Sequence, residues 1–299
     1  MMALNPSGVC KRLSVVLACC ALASTVASQS VLAQVQQIPL ESSIGRLMDE
    51  AETDFSHMLI RQRGSIRSLV FVRDSGMEVL ETQLDLRKPQ ELQFEYLRYL
   101  FTSYLFRDQQ QDVLIVGLGG GGMIHFLNHI DPKIHIDAVE IDPKVVEWAD
   151  KYFGVRSGGN VNVVTADGLK YLAETEKKYD VIYMDAFLKP SADTDQTGAP
   201  RALRTRRFYE QMQTKLKPGG AVAFNLNPHD GLEDDIREIS EAFPQAYVFP
   251  LMRFSGNVVL ASTVAERASP SELVKRGRAL DRRFKTSVRF EEMSRRVRR

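Results

Sequence analysis

The segment Val113-Leu114-Ile115-Val116 runs directly into Gly117-Leu118-Gly119-Gly120-Gly121-Gly122, and this junction constrains the fold more than any other stretch. Four apolar residues in a row suit a strand buried on both faces. The glycines that follow permit a tight turn and close backbone approach, and the helix expected from Met123 to His129 opens with N–H groups that have no partner within the helix. Gly117, Gly119 and Gly122 fit the G-x-G-x-x-G spacing in the strand-turn-helix context that a nucleotide site needs. Glu140 closes the next apolar run, 21 residues after Gly119, where a carboxylate can accept both hydroxyls of a ribose. Glycine loop and carboxylate together point to nucleotide binding rather than to a structural turn.

From this junction onward apolar runs and amphipathic stretches alternate. Strands are expected at 113–116, 134–139, 161–165, 181–184, 221–225, 246–250 and 257–261, with helices at 144–152, 169–174, 205–215 and 236–242. That order predicts an α/β domain, a seven-stranded, doubly wound, mostly parallel sheet with helices on both faces. Upstream, apolar residues at mixed spacing predict a helix over 44–60. The β-rich runs 68–73 and 77–83, joined by Asp74-Ser75-Gly76, predict a small β-hairpin subdomain. Pro89 is expected to open a helix with one stripe formed by Leu92, Tyr96, Leu97, Leu100, Phe101, Tyr104 and Leu105. The chain thus divides into a leader (1–33), an N-terminal segment (34–106), a nucleotide-binding domain (107–264) and a basic tail (265–299).

In the leader, Lys11 and Arg12 precede an apolar run from Leu13 to Ala27, and Val31-Leu32-Ala33 supplies the small residues read by a signal peptidase. The run serves equally as an uncleaved anchor, the one route to membrane contact, and either use sends the domain out of the cytoplasm to a periplasmic, secreted or membrane-anchored address. Cys10, Cys19 and Cys20 all lie there, so cysteine chemistry is excluded from the folded domain. The formal charge of +1 hides an asymmetry: the last 25 residues carry 11 Lys or Arg against 3 Asp or Glu, which leaves 26 basic and 35 acidic residues in 34–274. An acidic body is not that of a dedicated nucleic-acid binder.

Two further carboxylates end strands of the expected sheet. Asp167 follows the third strand and serves either a nucleobase or the cap of the helix beginning at Leu169. Asp185 follows the fourth, where no helix begins and a long loop (186–199) does, so it reads as functional. Asp142, ahead of Pro143, reads as a helix cap. His125, His129 and His135 lie at mixed spacing without a partner set for a metal. Trp148 reads as helix packing, and Arg201, Arg204, Arg206 and Arg207 read as a solvated helix start.

The ordered set Gly117 to Gly122, Ala138-Val139-Glu140-Ile141-Asp142, Ala166-Asp167-Gly168, Tyr179 to Asp185 and Leu216-Lys217-Pro218-Gly219-Gly220 resembles the spermidine synthase family over roughly 68–261. The resemblance implies a Rossmann-like fold of the class I S-adenosylmethionine-dependent methyltransferase type. It also implies S-adenosylmethionine or its decarboxylated form as co-substrate without a metal, a small-molecule amine as acceptor, and room for a homodimer. By the same resemblance Glu140 holds the ribose, Asp167 the adenine, Asp185 is the catalytic aspartate beside the attacking amine, and Tyr96 is the active-site tyrosine.

Two departures from the family pattern carry weight. Gly120 stands where the family has an aspartate, and its D-x-x-D-P motif has become Asp185-Ala186-Phe187-Leu188-Lys189-Pro190. Losing the first carboxylate removes a repulsion against the carboxylate of intact S-adenosylmethionine of about 4 kcal/mol at roughly 4 Å and an effective dielectric near 20. The sequence therefore supports an aminopropyl transfer to a polyamine, with methyl transfer from S-adenosylmethionine as the alternative. The leader, which removes the chain from a cytoplasmic co-substrate, motivates a third reading as an inactive binding protein outside the cytoplasm. Mass spectrometry of the protein from its own host is expected to find Gln34 at the mature N-terminus; an intact Met1 would contradict the cleaved leader.

Overall fold

The structure is a computed structural model that describes residues 44–253 and 255–298; the leader and its cysteines lie outside them. Four strands, β1 (Arg46–Glu52), β2 (His57–Arg63), β3 (Ile66–Val72) and β4 (Glu78–Asp85), form an antiparallel sheet in that order. The expected 68–73/77–83 hairpin is the β3–β4 half of it.

The helix expected over 44–60 is instead β1, a turn and β2. Leu47 and Met48, counted on an apolar stripe, are 41% and 37% exposed. Between the strands, the Thr53 hydroxyl accepts from the N–H groups of Phe55 (3.2 Å) and Ser56 (3.0 Å), a local turn that competes with helical bonding. The helix expected from Pro89 starts later. Asp85 draws the following backbone into turns, accepting from Arg87 N–H on its side chain and from Lys88 N–H on its carbonyl, so α1 covers only Glu95–Leu100 and tightens into a 3₁₀ segment, Phe101–Leu105. The apolar stripe is nonetheless buried over Leu97, Leu100, Phe101, Tyr104 and Leu105.

The main sheet has the seven expected strands: β5 (Asp112–Val116), β6 (His135–Glu140), β7 (Val161–Thr165), β8 (Tyr179–Met184), β9 (Leu216–Leu226), β10 (Gln245–Pro250) and β11 (Asn257–Ser262). Their spatial order is β10-β11-β9-β8-β5-β6-β7, with β11 antiparallel to both neighbours and the other contacts parallel. Alternation along β5 divides the core. Val113 and Ile115 join Phe101, Phe126, Trp148 and Tyr183 on one face, while Leu114 and Val116 join Leu172, Tyr209 and Phe224 on the other. Helices α2 (Gly122–Ile130) and α3 (Pro143–Phe153) supply the first face, and α4 (Gly168–Glu174), α5 (Arg206–Thr214) and α6 (Leu232–Ala242) the second.

The basic segment 265–299 is helical over much of its described part. It forms α7 (Pro270–Phe284) and α8 (Phe290–Ser294), and it buries Leu273, Leu280, Phe290 and Met293 in the same core as Tyr104. Its arginines lie on the outer face, where Arg295 and Arg278 pair with Glu291. No described helix is long and apolar enough to cross a membrane.

Because β5 sends the chain to β6 and β7 on one side and β8 and β9 lie on the other, the strand order reverses between β5 and β8, and ligands bind such sheets in the crevice beyond that point. The opposite end is locked by Asp180, 1% exposed. Its Oδ1 accepts from Arg107 Nη2 (2.6 Å) and its Oδ2 from the N–H groups of Gln111 (2.9 Å) and Asp112 (3.0 Å) and from Lys217 Nζ (3.0 Å). Burial alone would raise this carboxyl, but these donors outweigh it and hold it at about 2. Asp180→Ala, which leaves Arg107 without its carboxylate and Lys217 with Asp112 alone, should cost about 3 kcal/mol in urea unfolding at neutral pH. A depressed pKa stabilises above the unfolded value near 4, so the gap between wild type and variant should close as pH falls from about 4 to 2. A gap that does not change with pH would contradict the lock.

Candidate active site

Strand ends at the reversal point supply the groups that line a cavity of about 290 Å³. Gly117 follows β5 at φ +96° and its N–H donates to the carbonyl of Val139 (2.8 Å). A Cβ there would sit 2.1 Å from the carbonyl oxygen of Asp185, so only glycine lets the loops after β5 and β8 lie against each other.

Glu140, buried at the end of β6, turns toward the glycine loop. Its Oε2 accepts from Leu118 N–H (2.9 Å) and its Oε1 from Asp142 N–H (3.0 Å). Burial raises this carboxyl above its usual range, and the backbone N–H groups of Leu118, Asp142 and Ile141 oppose the rise. Within the loop, Gly120 N–H donates to Thr82 Oγ1 (3.0 Å) and Gly121 N–H to the Leu118 carbonyl (2.9 Å). Gly117, Gly119 and Gly122 all line the cavity, where α2 begins.

Both ambiguous carboxylates cap helices and both line the cavity. Asp142 caps α3 through Lys144 N–H (2.8 Å) and accepts from the Thr53 hydroxyl (2.6 Å). Asp167 caps α4 through its Oδ1, which accepts from Leu169 N–H (2.7 Å) and Lys170 N–H (3.2 Å); cap and ligand contact are compatible at this side chain.

Asp185 faces the same cavity from the end of β8. Its Oδ1 accepts from Asn225 Nδ2 (2.8 Å) and its Oδ2 from the Tyr96 hydroxyl (3.4 Å), which α1 delivers with the ring stacked on Phe94. Burial pushes the Asp185 carboxyl up to about 6 against the pull of these two donors. Burial and the neighbouring Asp185 and Glu81 carboxylates push the Tyr96 phenol well above its usual range, so it remains a neutral donor.

The loop after Asp185 closes one wall through Leu188, Pro200 and Leu203. Leu188 N–H donates to the Gly198 carbonyl (2.8 Å) and Lys189 N–H to the Phe55 carbonyl (3.1 Å). Asp195 holds the loop, accepting from Thr197 N–H (2.7 Å), Ala199 N–H (3.0 Å) and Arg204 Nη1 (2.6 Å). Arg204 also pairs with Asp235 at 3.0 Å; it is a buried clamp, whereas the sequence placed it in a solvated helix start.

Sequence reasoning missed three cavity or supporting residues. Asn225 had a signal, a polar residue at the end of the apolar strand beside β8. Thr82 and Glu81 lie on β4, where neither carried a periodic signal.

This fold is the Rossmann-like fold of the methyltransferase type. The chain belongs to the spermine/spermidine synthase domain family, which it matches over residues 93–255. A polyamine aminopropyltransferase of Vibrio vulnificus is 28% identical over 244 residues, 80% of this chain and 79% of that relative. Human methyltransferase-like protein 13, solved in complex with SAH, is 30% identical with a TM-score of 0.56, covering 64% of this chain and 89% of that one. The spermidine synthase of Thermotoga maritima, 21% identical with a TM-score of 0.59, shares the fold over 83% of this chain and 82% of its own.

Gly117→Ala combines a strained φ with a clash against main chain, and should cost more than about 3 kcal/mol in chemical unfolding. A loss under about 1 kcal/mol would show that the two loops are not in contact.

Proposed function

We propose that this protein transfers an aminopropyl group from decarboxylated S-adenosylmethionine to a primary amine of a polyamine. The observation that carries the reading is Asp185, a carboxylate following β8 that is desolvated, oriented by Asn225 and Tyr96, and lining the same cavity as the glycine turn. The turn and Glu140 would hold the nucleoside, with the ribose diol on the Glu140 carboxylate and the base beside Asp167. So held, the nucleoside would turn its sulfonium-borne chain toward Asp185.

Asp185 would accept a hydrogen bond from the acceptor amine and so aim its lone pair at the carbon bonded to sulfur. As the C–N bond forms, the C–S bonding pair returns to sulfur, leaving a neutral thioether, and the proton lost by nitrogen passes to Asp185. Tyr96, donating to Oδ2, would keep the other oxygen turned to the amine.

Methyl transfer from S-adenosylmethionine is the second reading. Gly120, which adds no carboxylate to the loop, and the likeness to a methyltransferase-like protein support it. Both readings use one displacement chemistry at a sulfonium carbon. The export leader further leads us to place the activity outside the cytoplasm, where the co-substrate must be supplied.

Asp185→Asn should lower kcat by about 10²-fold or more while nucleoside affinity holds. In the wild type the base must be ionised, so kcat/KM should fall as pH drops below about 6, with Glu81 and Tyr96 the other titratable groups facing it. An asparagine variant with full activity would end the reading.

A further inference from the structure

The ladder between β3 and β4 pairs Leu69 with Thr82 but Val70 with Leu80, so Glu81 is an extra residue bulged out of β4. In a regular strand, residues 81 and 82 would face opposite sides; here both line the cavity. Thr82 spends that position on the glycine loop, through Gly120 N–H. Glu81 does not: no hydrogen bond or ion pair ties its carboxylate to another described residue. Burial pushes it up to about 7, with Arg73 favouring the ionised form and Asp185 opposing it.

The glycine loop cannot supply such a carboxylate itself. A Cβ at Gly120 would lie 2.5 Å from Thr82 Cγ2 and 2.9 Å from the Phe153 ring, so that space is filled by protein. Glu81 and Asp185 thus line one cavity with the glycine turn, and neither has a cationic partner in hydrogen-bond contact. A bound ammonium relieves their mutual repulsion, and a further carboxylate adds to it.

We propose that Glu81 receives the ammonium of the donor's sulfonium-borne chain and sets donor choice, favouring a chain that ends in an amine alone over one that also carries a carboxylate. This deepens the transferase reading and rests on it. It also reverses the consequence first drawn from Gly120: the carboxylate absent from the loop is present on the bulge.

The test is calorimetric titration of the full chain with three adenosyl ligands: methylthioadenosine, which has neither group, decarboxylated S-adenosylmethionine, and S-adenosylmethionine. The wild type should bind the decarboxylated donor at least about tenfold more tightly than S-adenosylmethionine. Glu81→Gln should shrink that ratio to about threefold or less, with methylthioadenosine affinity unchanged, and Glu81→Asp, which keeps the charge, should retain most of it. Glu81→Ala serves the same comparison if the glutamine variant fails to bind methylthioadenosine. A wild type without the preference, or a preference that survives neutralisation of Glu81, overturns the assignment while leaving nucleoside binding intact. Absence of methylthioadenosine binding to the wild type would instead end the transferase reading, and the role of Glu81 with it.

Discussion

The contact on which the crevice depends is the approach of three strand ends made possible by a missing side chain. Gly117 lies so close to the Asp185 carbonyl that no Cβ fits between them, and its N–H is bonded to Val139, the residue before Glu140. One glycine thus sets the separation of the loop after β5 from both the carboxylate ending β6 and the one following β8. Glu140 completes the arrangement by accepting from Leu118, so its position and that of the loop are one constraint. Movement at any of these points would displace both Glu140 and Asp185, the residues proposed to hold the nucleoside and to act as the base.

The electrostatics follow from where each carboxylate sits. Asp180, at the far end of β8, is surrounded by two N–H groups, an arginine and a lysine, and is held strongly ionised; its role is to lock the sheet. Asp185, at the near end of the same strand, has only neutral donors, and burial raises it into the range where a proton can be taken up and released. Five residues apart on one strand, the same side chain is structural at one end and chemically poised at the other because only the first has cationic partners.

The parts of this design legible in the sequence are those with a period or a fixed offset. Strands of the main sheet read as apolar runs, so β5 to β11 could be placed from the sequence, and Glu140 and Asp185 stand where two of the parallel ones end. The parts that were not legible depend on local competition. A hydroxyl at Thr53 converts an expected helix into a turn between β1 and β2, and Asp85 delays the helix expected at Pro89. The basic C-terminal segment concealed its apolar face behind a surplus of arginines. Glu81 was least visible of all, because a bulge breaks the alternation by which a strand residue is assigned to a face.

The central claim is that the glycine turn and Glu140 together hold a nucleoside, and crystals of the protein soaked with 5′-methylthioadenosine test it most directly. The account predicts electron density for the nucleoside in the β5–β8 crevice, with both ribose hydroxyls within hydrogen-bond distance of the Glu140 carboxylate. A nucleoside bound elsewhere on the molecule, or one seated in the crevice with its ribose turned away from Glu140, would contradict it.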